Sequence, residues 1–103
     1  MQMSITQDSN RITLKVSGSL TFADNREWRT TTTDFLDKSA EAHLLDLVAL
    51  EDLDSAGLGM MLALQKWAKD KGRVLKVKYN AESTAGSMIR LAKLDSVFTI
   101  VSE

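Results

Sequence analysis

The chain has 103 residues, 44% of them hydrophobic, and 13 basic against 14 acidic side chains give a formal charge of -1. That length supports one domain with a radius of gyration near ~13 Å, and the balanced charge argues against nucleic-acid binding as a main function. No cysteine is present, no apolar run approaches the roughly 20 residues of a membrane span, and no basic-then-apolar leader opens the chain. A soluble cytoplasmic protein without membrane insertion is therefore expected.

Along the chain, strand and helix patterns alternate without a linker or low-complexity tract. Residues Met3 to Thr6 and Arg11 to Val16 read as a hairpin with its turn at Gln7 to Asn10. In the second of these strands Ile12, Leu14 and Val16 share one face, with Arg11, Thr13, Lys15 and Ser17 on the other. A first helix is expected after Thr21, where Thr21 and Asp24 resemble a capping box. Trp28, Thr32 and Phe35, with Leu36 beside them, form its core stripe. The threonine run Thr30 to Thr33 lowers helix propensity, so packing must hold that helix. The lone His43 reads as an ordinary exposed or half-buried residue at a strand start, unable to build a metal cluster or serine triad alone.

Leu44 to Leu50 is nearly all apolar and reads as one buried strand. From Ser55 to about Lys71 a helix is expected, stopped by Gly72. Arg73 to Tyr79 alternates again, with Leu75, Val77 and Tyr79 against Lys76 and Lys78. A third helix over Glu82 to Leu94, containing Gly86, then leads into a short strand from Val97 to Val101. The fold class is α/β, a small mixed β-sheet with helices mainly on one face. The polar rows leave the other face partly wet.

Chemistry concentrates where the buried strand meets the second helix. Asp54 is a strong N-cap candidate, which makes Ser55 the first helical residue. First-turn amides lack intrahelical partners and carry the positive end of the macrodipole, so a phosphate on Ser55 would be tolerated there. Asp54 and Glu51 would oppose it. Gly57 and Gly59 each forfeit roughly 1 kcal/mol of helix propensity. Either tight packing on the sheet or close approach of a partner backbone must offset that loss. Farther along, Met61, Leu64 and Ala68 face the core, with Met60 and Trp67 on the flank. Leu58 and Leu62 lie at the edge and on the polar side, where they are candidates for partner contact, and Met60 is an adaptable contact residue.

The run from Asp46 to Gly59, with its Asp-Ser-x-Gly-Leu-Gly core, resembles the signature of anti-sigma factor antagonists, members of the STAS domain family. Gly18-Ser19-Leu20 and the closing helix-strand pair extend the resemblance over nearly the whole chain, as a single STAS domain spanning residues 1–103. The resemblance implies that Ser55 is phosphorylated by an anti-sigma factor with serine kinase activity, and that a serine phosphatase reverses the step. It implies that the unphosphorylated form binds the anti-sigma factor and frees sigma, and that the phosphorylated form lets go. It places Thr21, Asp54, Ser55, Ala56, Gly57, Leu58, Gly59 and Leu62 at the partner surface of a protein that is monomeric when free and needs no cofactor or metal.

Two positions depart from the family pattern. Thr21 stands where an Asp is common, which puts the kinase's identity in question. Ala56 stands where a second hydroxyl is common, which leaves only Ser55 to accept phosphate in this turn. A second reading is an accessory STAS subunit, resembling that of a bacterial phospholipid-transport ABC complex, docked on a nucleotide-binding subunit. An enzyme or phosphoacceptor-aspartate receiver is the weakest class. Asp46 is mid-strand, Glu51, Asp52 and Asp54 read as loop residues, and no nucleotide loop or metal spacing appears.

Overall fold

Pairing register, more than element length, decides where the core lies. The structure, a computed structural model, describes residues 1–8 and 10–101. Strands β1 (Gln2–Gln7) and β2 (Arg11–Leu20) form the expected antiparallel hairpin. Ser9 in its turn lies outside the described residues. The Asp8 carboxylate accepts the amides of Asn10 and Arg11 at 2.9 and 2.8 Å. Those bonds hold its carboxyl below the usual value.

Beyond the hairpin the sheet is parallel. β3 (Ala42–Leu47) pairs with β2, β5 (Leu75–Tyr79) with β3, and β6 (Thr99–Ile100) with β5, in the order β1-β2-β3-β5-β6. β4 (Leu50–Leu53) pairs in parallel with the far end of β2. The expected single strand Leu44 to Leu50 is thus two strands broken at Val48 and Ala49. A carboxylate in the strand causes the break: Asp46 Oδ1 accepts the Val48 amide at 3.0 Å, an Asx-type turn. Gly18 matches the break from the neighbouring strand, adopting φ +83 and donating its amide to the Ala49 carbonyl. Only glycine takes that conformation without strain.

Register places Ile12, His43 and Leu75 in one row and Leu14, Leu45 and Val77 in the next. All six are buried. Helices α1 (Asn25–Asp37) and α2 (Ser55–Asp70) cover this face with Trp28, Phe35 and Leu36 from one and Met61, Leu64 and Ala68 from the other. The opposite face carries Thr13, Lys15, Asp46, Lys76 and Lys78, with Lys78 Nζ 3.6 Å from Asp46 Oδ2. Helices therefore lie mainly on one face of a mixed sheet. Leu44 is the exception on the open face: it is buried yet stands outside the main core, in register between Thr13 and Lys76. A lysine stem beside it is long enough to cover it while the ammonium stays wet.

The ends of the helices differ from the expected bounds for local reasons. A single 3-10 turn, Phe22–Asp24, precedes α1. Asp24 Oδ2 accepts both the amide and the hydroxyl of Thr21, at 2.9 and 3.2 Å, and the Asp24 amide donates to the Thr21 carbonyl at 2.9 Å, so the expected pair closes this turn. Thr32 is fully buried and returns its hydroxyl to the Trp28 carbonyl at 2.7 Å, so a weak helix former is satisfied inside the core. Arg73 lies before β5, not in it: its guanidinium donates to the carbonyls of Leu36 and Asp37 and so ties down the end of α1. The third helix is shorter than its apolar pattern, with α3 covering Thr84–Leu91. Lys93 adopts φ 60 and starts a 3-10 turn at Leu94–Ser96, which ends the helix three residues early.

His43 is a correction. Its side chain is fully buried, edge-on to Phe35 with ring centroids 5.0 Å apart. Nε2 meets the Lys38 carbonyl at 2.9 Å, and Nδ1 has no hydrogen-bond partner among the described residues. Burial pushes its pKa below the ordinary 6.5, against the pull of the Lys38 carbonyl. Parity explains the outcome, because a residue two before Leu45 on β3 must point inward.

Candidate functional site

At the mouth of α2 the chain crosses from β4 into the helix beside the end of β2. Asp54 holds that corner from three directions. Its amide donates to the Leu20 carbonyl at 3.2 Å, and Oδ1 accepts the Gly57 amide at 2.8 Å. Oδ2 accepts the Phe22 amide at 3.2 Å. One carboxylate thus caps α2 and pins the entry to α1, so Thr21 and Phe22 are brought beside Ser55. The expected N-cap is present, and it does more than cap.

Because Asp54 performs the capping, Ser55 is released from it. Ser55 is exposed, and its hydroxyl has no hydrogen-bond partner among the described residues. Ala56 and Leu58 are half-buried around it. Leu62 lies seven residues past Ser55, about two turns along nearly the same face, and is 41% exposed. Ser55, Leu58 and Leu62 therefore share one edge of α2.

The two glycines differ in origin. A Cβ at Gly57 would lie 2.5 Å from the Leu20 carbonyl oxygen, so the close approach of α2 to β2 requires glycine there. A Cβ at Gly59 would meet nothing within 4 Å. Gly86 in α3 behaves like Gly57, with the Asn80 carbonyl oxygen 2.0 Å from its virtual Cβ. It is a packing point against the loop before α3.

Glu51 and Asp52 belong to β4 and not to a loop, and both are exposed. No group of acidic, His or Cys side chains among the described residues could hold a metal ion. Met60 is mostly buried at the α1–α2 junction, with its carbonyl accepting the Trp28 indole N–H at 3.2 Å.

Two residues escaped the pattern reading. Phe22 is 72% exposed beside the Ser55 corner. Trp67, assigned to a flank, is half-buried beneath Arg29, whose guanidinium lies 5.6 Å from its ring centroid. The signal for Phe22 was its place in a capping turn, where an aromatic has no core to reach.

Solved structures with this arrangement exist. An anti-sigma factor antagonist from Mycobacterium paratuberculosis superposes with a TM-score of 0.85 at 20% identity, covering 99% of this chain and 86% of that one. A Thermotoga maritima protein assigned as an anti-sigma factor antagonist gives 0.82 at 20% identity, covering 98% and 86%. The anti-sigma factor antagonist SpoIIAA in its unphosphorylated form gives 0.70 at 10% identity, covering 99% and 89%. At such identities the likeness defines the fold. The family follows from the sequence itself: the profile described as "Mlab, STAS domain" matches residues 3–101, and the chain belongs to the STAS domain family.

Proposed function

We propose that the chain is a partner-switching anti-sigma factor antagonist whose switch is Ser55. In its unphosphorylated form it binds an anti-sigma factor that is also a serine kinase, and so frees sigma or another regulated target. In the kinase complex the Ser55 hydroxyl oxygen attacks the γ-phosphorus of ATP, ADP leaves, and the hydroxyl proton passes to a base of the kinase. A serine phosphatase returns the hydroxyl by hydrolysis. The chain itself carries no catalytic residue in this reading, needs no cofactor, and is monomeric when free.

The observation that carries this reading is an exposed serine hydroxyl left without a capping task by the Asp54 carboxylate next to it. Phosphate there adds a charge of about -1.5 to -2 at the centre of a surface formed by Thr21, Asp54, Ser55, Leu58 and Leu62. Asp54 repels it and the helix mouth tolerates it, so the backbone stays in place. Binding ends because the interface would bury an unpaired charge. That penalty reaches several kcal/mol, and each ~1.4 kcal/mol is tenfold in affinity.

Intact mass and phosphosite mapping of protein from its native host tests the proposal. Phosphate on Ser55, absent in Ser55→Ala with the fold retained, is the expected result. Ser55→Asp should weaken partner binding, by less than phosphate does. Phosphate that persists in Ser55→Ala moves the site to Ser83, Thr84 or Ser87 and overturns the assignment.

A second reading rests on the resemblance to the accessory STAS subunit of a phospholipid-transport ABC complex; the matching family model carries the description "Mlab, STAS domain". There the same turn docks on a nucleotide-binding subunit without phosphorylation. Co-purification with such a subunit, and no phosphate at Ser55 in any growth phase, selects it.

A further inference from the structure

We infer that the partner surface extends beyond the Ser55 turn into the groove between α1 and α2, and that the groove receives a large apolar side chain of a partner polypeptide with a carboxylate beside it. This rests on the reading that the Ser55 end of α2 meets a protein. The groove has a volume of about 320 Å³ and is walled by Phe22, Trp28, Arg29, Met60 and Trp67, with Gly59 on its α2 side.

Three independent features point to an occupant. Phe22 stands 72% exposed, yet its amide is fixed by a carboxylate 32 residues away, so an aromatic ring is held in water beside Ser55. Gly59 forfeits helix propensity without any atom of this chain near its missing Cβ. Gly57 and Gly86 have packing reasons, whereas the open space at Gly59 leaves room for the close approach of a foreign chain. Arg29 supplies the single formal charge among the residues lining the groove, and it forms no ion pair among the described residues. Its complement is a carboxylate.

Composition and shape select a polypeptide as the source. Aromatic residues, Arg and Met are the residues enriched where proteins anchor one another. The trough is open along Phe22, so an occupant must bring its own cover against water, as the rest of a partner surface does. Its volume suits one or two side chains.

A random-peptide display library panned on the immobilised, unphosphorylated chain is the probe. Enriched peptides should carry an aromatic or long aliphatic residue within a few positions of Asp or Glu. A synthetic peptide of that sequence should shift the amide resonances of Gly59 and Ala63 and the indole resonance of Trp67. Affinity should fall at least about tenfold in Gly59→Leu and in Arg29→Glu. It should be unchanged in Leu91→Ala, a distant leucine that is 83% exposed. Ala63→Trp, which fills the same groove from another turn, guards against a folding defect in Gly59→Leu.

Enrichment of peptides without acidic residues, resonance shifts away from the groove, affinity retained in both filling variants, or no enrichment would each overturn the inference. Kinase and phosphatase take no part in this measurement. A Ser55 that is never phosphorylated would remove the switch and leave a positive peptide result standing. A negative peptide result would leave the switch standing.

Discussion

Two helices of this protein begin with nearly the same four residues. Asp54-Ser55-Ala56-Gly57 opens α2, and Ser83-Thr84-Ala85-Gly86 opens α3. In both, the first side chain caps the glycine amide, at 2.8 Å from Asp54 and 2.9 Å from Ser83. In both, the glycine is buried where a preceding carbonyl excludes a Cβ. Shared geometry therefore accounts for the cap and the first glycine, and neither needs a functional cause. The differences between the two mouths are what the proposed site rests on. The α2 cap is a carboxylate that also reaches across to Phe22, whereas Ser83 donates its hydroxyl to the nearby Asn80 carbonyl. Only α2 continues into a second glycine with open space around it.

The comparison breaks most sharply at the glycines. Gly57→Ala and Gly86→Ala should each destabilise by about 1–3 kcal/mol, because backbone must move to admit a methyl. Gly59→Ala should instead stabilise by about 0.5–1 kcal/mol. Urea unfolding of the three variants checks both signs. A loss of stability in Gly59→Ala would show that the second glycine, too, belongs to packing.

The caps sharpen it next. Asp54→Ala removes a charged acceptor from two amides and should cost about 2 kcal/mol, while Ser83→Ala should cost about 1 kcal/mol. Equal losses would mean that the bond to Phe22 contributes nothing to stability. Asp54→Asn, which keeps the acceptor geometry at Oδ1, should recover most of the difference.

A smaller effect lies outside both helix mouths, at His43. Its folded pKa is lowered by burial, so the unfolded chain binds its proton more readily. Stability is then complete above the ordinary value of 6.5 and declines as pH falls below it toward the folded pKa. His43→Phe should flatten the stability curve between about pH 7 and 5. An unchanged slope would assign the acid sensitivity to carboxylates.

Smallest is Leu62→Ala, which should leave unfolding within about 0.5 kcal/mol of the parent while weakening binding of the proposed anti-sigma factor partner. Unaltered affinity would return Leu62 to the ordinary exposed leucines.

Legibility in the sequence followed the range of the forces involved. Local periodicity placed the hairpin, both long helices and the core stripe of Trp28, Thr32, Phe35 and Leu36, since those faces repeat within a few residues. Asp54 and Gly72 were visible because caps act within one turn. The break after Leu47 was hidden, because an Asx turn competes with a strand only once Gly18 on the neighbour has kinked to match. His43 was misplaced because the expected strand began one residue past it at Leu44, and the apolar run that follows hides the alternation that turns His43 inward with Leu45. Around Ser55, the sequence revealed the Asp54 cap but could not sort the two glycines. The cause lies 37 residues upstream at Leu20 for Gly57, while Gly59 meets no atom of the chain near its missing Cβ.

The bond from the Trp28 indole to the Met60 carbonyl makes the molecule its own optical probe. Trp28 is buried and hydrogen-bonded, so its emission should lie toward the blue and move most when α1 parts from α2. Trp67 is half in water with a guanidinium against its face, so its emission lies farther to the red and is quenched or restored by whatever disturbs Arg29. With no third indole in the chain, Trp67→Phe leaves the buried Trp28 to report unfolding, and the difference spectrum against the parent isolates the half-exposed Trp67. One cuvette thus separates loss of the fold from occupation of its surface.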